Sequence, residues 1–249
     1  MSTDAGISTR RVRGGSLLSR FMLRGSVRQV RQVTRSMRAI RIGGPGLEGV
    51  TPLPGQQVRV LVGDPFTRRT YSVLSADPQA GEVELCVLDH EGDGPGARWA
   101  RTVERGQEVA LSRPEGNLLV RRDAPYHLFV GEETAMVPFV SMIGFLDGDG
   151  DGAEVHGVIE LRGPEDRLPG IRKGAVEWIY RGEESAASSQ RLVRAVAGLD
   201  LPSGPGVAYV AGEARTCQAV RGHLVRERGW PRRSVVVKPF WAPGKRGME

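Results

Sequence analysis

Cysteine is nearly missing from this chain: 249 residues hold only Cys86 and Cys217. Neither belongs to a CxxC pair or a Cys/His cluster, which argues against an iron–sulfur centre or a zinc site. Any redox chemistry therefore needs a bound organic cofactor. Two dispersed thiols suit a reducing cytoplasm. Apolar runs are short as well, and none approaches the roughly 18–20 residues that cross a bilayer. The four histidines, His90, His127, His156 and His223, form no HExxH or paired metal spacing. No Ser/His/Asp constellation assembles from local signatures. A GxGxxG dinucleotide fingerprint is also absent; the cluster Gly43-Gly44-Pro45-Gly46 is followed by no helical pattern.

What is present describes a folded chain of one large domain or two small ones, with 39% hydrophobic and 26% charged residues. The net charge of +6 hides an asymmetry. Residues 1–42 carry ten Arg against one acid, Asp4, whereas the remainder holds 25 basic and 28 acidic residues. The body is not basic; it carries a basic lead. Residues 1–24 read as a flexible extension, with nucleic-acid or acidic-surface binding as the alternative use of so many arginines. Their apolar residues are too few for a secretory signal.

From Ser26 onward short strands alternate with turns. Val27 to Val33 and Met37 to Ile42 place apolar residues at mixed two- and three-residue steps and are closed by glycine-rich turns. Val58 to Val62, Arg69 to Leu74, Val83 to Leu88 and Glu108 to Leu111 bring the count to six, which suggests a small antiparallel barrel. After Arg121-Arg122-Asp123 the rhythm changes. Strands are expected at His127 to Val130, Val155 to Leu161, Val176 to Tyr180, Val207 to Ala211 and Val235 to Lys238. Helices are expected near 133–146, 184–197 and 213–228. Such alternation predicts a doubly wound parallel sheet. The resulting division is a lead over 1–24, a barrel over 25–122 and an α/β domain over 123–249.

Four stretches carry chemical interest. Arg69-Thr70-Tyr71-Ser72 on a strand puts Arg69 and Tyr71 on one face, a fixed cation beside a flat ring. Gly94-Pro95-Gly96-Ala97-Arg98-Trp99 reads as a glycine-rich turn opening a helix, with backbone N–H groups available to an anion. Leu128-Phe129-Val130-Gly131-Glu132-Glu133-Thr134-Ala135 and Tyr209-Val210-Ala211-Gly212-Glu213-Ala214 each run strand, Gly, helix start. That arrangement offers free N–H groups, and in the first a hydroxyl, where a pyrophosphate could sit. A fifth stretch, Asp147-Gly148-Asp149-Gly150-Asp151-Gly152, copies the first half of an EF-hand loop. Its twelfth position is Val158 rather than Glu and its flanks read helix then strand, so a solvated loop tip is the expectation. No metal site is expected.

In this order and spacing, the four stretches resemble the siderophore-interacting proteins of the ferredoxin-reductase-like superfamily. The resemblance covers roughly residues 26–244, including the closing Glu-Arg-Gly at 227–229 and the aromatic end Phe240-Trp241. It implies an antiparallel six-stranded flavin-binding barrel followed by a doubly wound parallel-sheet nucleotide-binding domain. It further implies an NAD(P)H- and FAD-dependent cytoplasmic reductase of ferric siderophores. Carried over, Arg69 meets the flavin phosphates, Tyr71 its ring and Ser72 the ring's reactive edge. His90 with Gly94, Gly96, Ala97 and Trp99 holds the pyrophosphate and adenosine side. Gly131, Thr134, Gly212 and Glu213 line the nicotinamide-nucleotide cleft, and Trp241 lies near the ring. Arg181 either meets a 2′-phosphate or is an ordinary exposed Arg after a strand. Lys238 is either a cation at the mouth or a solvated strand end.

This chain departs from the pattern at three places. Glu132 replaces Asp, Gly96-Ala97 replaces Ala-Ser, and Leu74 stands where many members have a second Arg. The last two put tight flavin retention in question. Two rivals remain at this stage: a reductase of the same fold that serves a protein acceptor, and a flavin-less module that uses its basic N-terminus. Neither nucleic acid nor a membrane span is expected.

Overall fold

The structure, a computed structural model, describes residues 22–64, 66–89, 92, 94–148 and 152–245. Its first half closes on itself. Strands β1 (Leu23–Gln32), β2 (Met37–Gly43), β3 (Gln57–Leu61), β4 (Arg68–Asp77), β5 (Glu82–Leu88) and β6 (Glu108–Leu111) form a barrel in the order β1-β2-β5-β4-β3-β6. All its pairings are antiparallel. Val27, Ile40, Val58, Val60, Leu85 and Leu111 point inward and fill it. The mixed spacing of apolar residues along β1 has a local cause, a register shift between Val27 and Gln29 that moves later side chains off strict alternation. The strand also begins earlier than the sequence suggests. Leu23 pairs with Leu111 and Arg24 with Ala110, so the last two residues of the expected lead belong to the barrel.

Between β5 and β6 lies helix α1 (Pro95–Thr102). The second half comprises β7 (His127–Glu132), α2 (Glu133–Gly148), β8 (Val155–Leu161), β9 (Glu177–Tyr180), α3 (Gln190–Gly198), β10 (Val207–Glu213), α4 (Ala214–Gly222) and β11 (Val235–Trp241). Its strands form one parallel sheet in the order β11-β10-β7-β8-β9. Successive side chains of β7 serve opposite faces. Phe129 packs with α2, whereas Leu128 and Val130 pack with Leu192 of α3 and Cys217 and Val220 of α4. Helices therefore cover both faces, as the alternation predicts. α3 starts at Gln190 rather than near 184, because Ser189 caps it by accepting from Leu192 N.

α2 faces the barrel. Its Met136, Phe139, Met142 and Ile143 share one apolar cluster with Met37, Cys86 and Leu118 of the first half, and Leu74 packs against it. Leu74, one of the departures from the resembled pattern, is thus spent on joining the two halves. Ser36 Oγ donates to Asp166 Oδ1 at 2.6 Å, and Arg35 pairs with Glu165 at 3.1 Å. The chain order reverses between β7 and β10, and ligands of open α/β sheets bind at such a switch point, outside the carboxyl ends of the strands.

Candidate functional site

A cleft of about 1850 Å³ opens between the barrel and the carboxyl ends of the parallel strands. It gathers Arg69, Tyr71, Ser72, Gly94, Gly96, Ala97, Thr134, Arg181, Lys238 and Trp241 of the residues singled out from sequence. Register on β4 sets the first three: Arg69 lies opposite Val60, Tyr71 opposite Val58 and Ser72 opposite Gln57. Tyr71 stacks on Trp99, with ring centroids 5.5 Å apart and planes at 27°. Burial raises the Tyr71 phenol well above its ordinary pKa, with the Arg69 charge opposing, so the ring is neutral at any physiological pH.

α1 meets this pair end-on. Gly94 is its N-cap and makes no side-chain cap bond, and its first turn carries no acid. A Cβ on Gly96 would stand 2.9 Å from Tyr71 Oη and 3.0 Å from Arg69 Cγ, so helix and strand approach closely here and a larger residue would shift these two side chains. Uncapped N–H groups beside a guanidinium and a flat phenol fit the phosphates and ring of a flavin nucleotide. Among the described residues, Arg69 has no carboxylate within ion-pair distance; its Nη1 donates to Arg68 O at 2.6 Å.

The other helix starts differ, and here the expectation of free N–H groups fails. Thr134 N donates to Glu132 Oε2 at 3.0 Å, and Thr134 Oγ1 donates to Glu132 Oε1. Arg215 N and Thr216 N donate to Glu213, which also accepts from Ser188 N at 2.9 Å. An acid directly ahead of a helix folds back and caps it, so Thr134 N of α2 and Arg215 N and Thr216 N of α4 are already spent. Gly131 and Gly212 are likewise structural. A Cβ on Gly131 would meet Ala135 Cβ at 2.4 Å, and one on Gly212 would meet Glu132 Oε1 at 2.5 Å. Gly212, at φ +118°, is the bare floor on which the Glu132 carboxylate rests. Neither glycine nor Glu213 lines the cleft.

Trp99 does not line it either. It is 5% exposed in the barrel core and acts as the support beneath Tyr71. Arg181 does reach the cleft, tied by Nη2 to Glu133 Oε1 at 2.7 Å and by Nε to Glu184 O at 3.0 Å. His90 lies outside the described residues, as do positions 149–151 of the EF-hand-like stretch. Asp147, its first residue, lies in the last turn of α2 and pairs with Arg172. No cluster of three or more His, Cys, Asp or Glu suited to a metal occurs among the described residues.

Sequence reasoning missed several cleft residues. Arg35, Ser36, Arg162 and Asp166 arrive from loops far apart in the chain, and no local pattern announces them. Glu132 was visible only as a departure from a signature, yet it is 3% exposed and accepts from Trp241 Nε1 at 2.9 Å. Burial, and next the Glu133 charge, push its carboxyl up to about 7 against the pull of Thr134 and Trp241. Glu160, its register partner on β8, is also raised by burial and accepts from Ser189 Oγ at 2.8 Å.

Comparison with known proteins is consistent with this geometry. A model described as siderophore-interacting protein matches residues 124–244, and one described as siderophore-interacting FAD-binding domain matches residues 63–118. The ferric vibriobactin reductase ViuB of Vibrio cholerae is 27% identical over 181 residues, 71% of this chain and 65% of that protein. The chain thus matches just under two thirds of that relative's length. A siderophore utilization protein from T. fusca superposes with a TM-score of 0.79 at 21% identity, covering 92% of this chain and 95% of the other. Phthalate dioxygenase reductase superposes with a TM-score of 0.73 at 18% identity, over 92% of this chain and 71% of the other. No helix among the described residues is long and apolar enough to cross a membrane.

Proposed function

The chain belongs to the siderophore-interacting protein family, and from that premise we propose that it is a reductase carrying electrons from NAD(P)H through FAD to a ferric siderophore. The observation that carries this reading is α1. Its N-terminus is uncapped by any side chain, whereas those of α2, α3 and α4 are filled by Glu132, Ser189 and Glu213. Arg69 and the N–H groups of Gly96 and Ala97 would hold the flavin's pyrophosphate, and Tyr71 and Ser72 its ring. FAD, when bound, supplies the change from hydride to single-electron chemistry that iron requires.

The protein's own part is orientation and charge. Arg68, Arg98, Lys238 and Lys245 line the cleft and have no carboxylate within ion-pair distance among the described residues. Their field draws anionic chelates toward the opening. One NAD(P)H gives up a hydride, two Fe(III) become two Fe(II), and one proton leaves to solvent. Fe(II) is held far less tightly by hard oxygen chelators and departs. No side chain has to act as an acid or base at the iron.

The test is direct. Purified protein should take up FAD and turn yellow. With NADH or NADPH it should release Fe(II), trapped by a ferrous-specific chelator, faster than FAD and nucleotide do alone. Added salt should slow the reaction for anionic chelates, since exposed charges are screened within about 10 Å at 0.1 M. One observation favours a second reading, exchange of electrons with a protein partner: at the starts of α2 and α4, where a dinucleotide's pyrophosphate would sit, Glu132 takes the Thr134 N–H and Glu213 those of Arg215 and Thr216. Bound FAD that neither nucleotide reduces would reject the first reading and leave the second.

A further inference from the structure

Trp241 ends the edge strand β11 and lines the cleft. Its indole N–H donates at 2.9 Å to Glu132 Oε1, which also receives the Thr134 hydroxyl. The carboxylate therefore has three donors, two from Thr134 and one from Trp241. It rests on Gly212, where any Cβ would stand 2.5 Å from Oε1. β7 and β10 meet there at the switch of the sheet, so this socket lies where a ligand of such a sheet enters. Reach matters. An aspartate, the residue at this place in the signature the chain otherwise resembles, would retract the carboxylate by about 1.5 Å, one carbon–carbon bond. That takes it beyond hydrogen-bond range of the indole.

We propose that Glu132 is a positioning residue that tethers Trp241 to the sheet wall of the cleft, and that admission of the nicotinamide requires this hydrogen bond to break. The role of the tether rests on the flavin reading above. Swinging Trp241 aside leaves a buried carboxylate short of a donor, next to a second buried acid, Glu133. That cost falls on whatever displaces the indole. Ionisation strengthens the tether, because a charged acceptor holds an N–H donor more strongly than a neutral one. The titratable and charged groups on the neighbouring elements are Glu133 on α2, Glu160 on β8, Glu213 on β10, Cys217 on α4, Lys238 on β11 and Arg181 after β9; of these the Glu133 charge raises the Glu132 carboxyl. The thiol of Cys217 is itself pushed up by burial and then by the charges of Glu132 and Glu213. Burial and the Glu133 charge push the Glu132 carboxyl up to about 7, so the tether is firmer with the carboxylate ionised and slackens as pH falls.

Full-length protein carrying 5-fluorotryptophan, with and without FAD, tests this by fluorine NMR, the Trp241 resonance being assigned with Trp241→Phe. In the wild type that resonance should move with a midpoint near pH 7. In Glu132→Asp it should sit at its released position at every pH, and Glu132→Gln, which keeps the length, should abolish the titration. Anaerobic reduction of the FAD-loaded protein by NADH and by NADPH gives the second readout. Glu132→Asp should lower the half-saturating nucleotide concentration about tenfold, since a hydrogen bond to a charged group no longer has to be broken. A Trp241 resonance identical in wild type and Glu132→Asp at pH 8 overturns the tether, whether or not flavin binds. A changed resonance with unchanged half-saturation overturns its role in admission. A changed resonance in a protein that takes up no FAD supports the tether and sinks instead the flavoprotein reading.

Discussion

Arg69→Ala isolates the contribution of one cation to flavin binding. Among the described residues Arg69 pairs with no carboxylate, and it donates only to the neighbouring Arg68 carbonyl. Removing it leaves no buried acid unpaired, so the apo fold should change by about 1 kcal/mol or less. The loss falls on the ligand. A charge-assisted contact to phosphate is worth about 1.5–3 kcal/mol, or about 10- to 150-fold in Kd. Arg69→Lys keeps the charge but not the planar fork and should recover part of that loss. Flavin fluorescence titration of the apoprotein at several salt concentrations measures both quantities. The alanine variant should bind more weakly and depend less on salt. Unchanged FAD affinity in a variant that melts normally would refute the assignment of Arg69 to the phosphates.

Three further outcomes are expected. Trp99→Ala empties a site in the barrel core and should cost about 3–5 kcal/mol in chemical denaturation; the wild-type midpoint would show that Trp99 is no support. Glu213→Ala removes the acceptor of three backbone N–H groups and should cost about 2–4 kcal/mol. Burial raises the Glu213 carboxyl, but the N–H groups of Arg215, Ser188 and Thr216 outweigh it and hold it below its ordinary value. Its stabilisation is therefore complete above the ordinary carboxylate range and lost as pH falls through the lowered folded value, so the variant should show a flatter acid limb. Truncation through Arg24 should lower the Tm relative to truncation through Phe21, because it removes the pairings of Leu23 with Leu111 and Arg24 with Ala110. Equal melting temperatures would contradict that register.

Much of the architecture was legible because each barrel strand buries one face and each parallel strand buries two. β6 and β8 occupy the stretches expected of them, Glu108–Leu111 and Val155–Leu161. The β1 bulge and the late start of α3 were hidden, since one depends on pairing with β2 and the other on a single serine cap. That Arg69, Tyr71 and Ser72 share one strand at the cleft was legible because a strand motif carries its own geometry; their roles toward a flavin belong to the proposed function. Gly131, Gly212 and Glu213, expected to line the nucleotide cleft, instead make packing and capping contacts beside it. A strand–Gly–Glu–helix turn offers amides to a ligand only while its glutamate points elsewhere, and that acid ahead of the first helical turn was the available signal. The β8–β9 loop residues Arg162 and Asp166 reach the cleft through tertiary folding alone.

The apolar seam through Met37, Leu74, Cys86, Leu118 and α2 has a consequence for how the molecule behaves as a whole. Two-domain proteins hinge when their interface is small and polar; this one is continuous with the interior of the α/β half. The halves should melt in a single calorimetric transition, and either half expressed alone would present a sticky face to solvent. The opening between them is therefore set when the chain folds, and any ligand must fit it without help from domain closure. What can yield at that opening is side-chain sized.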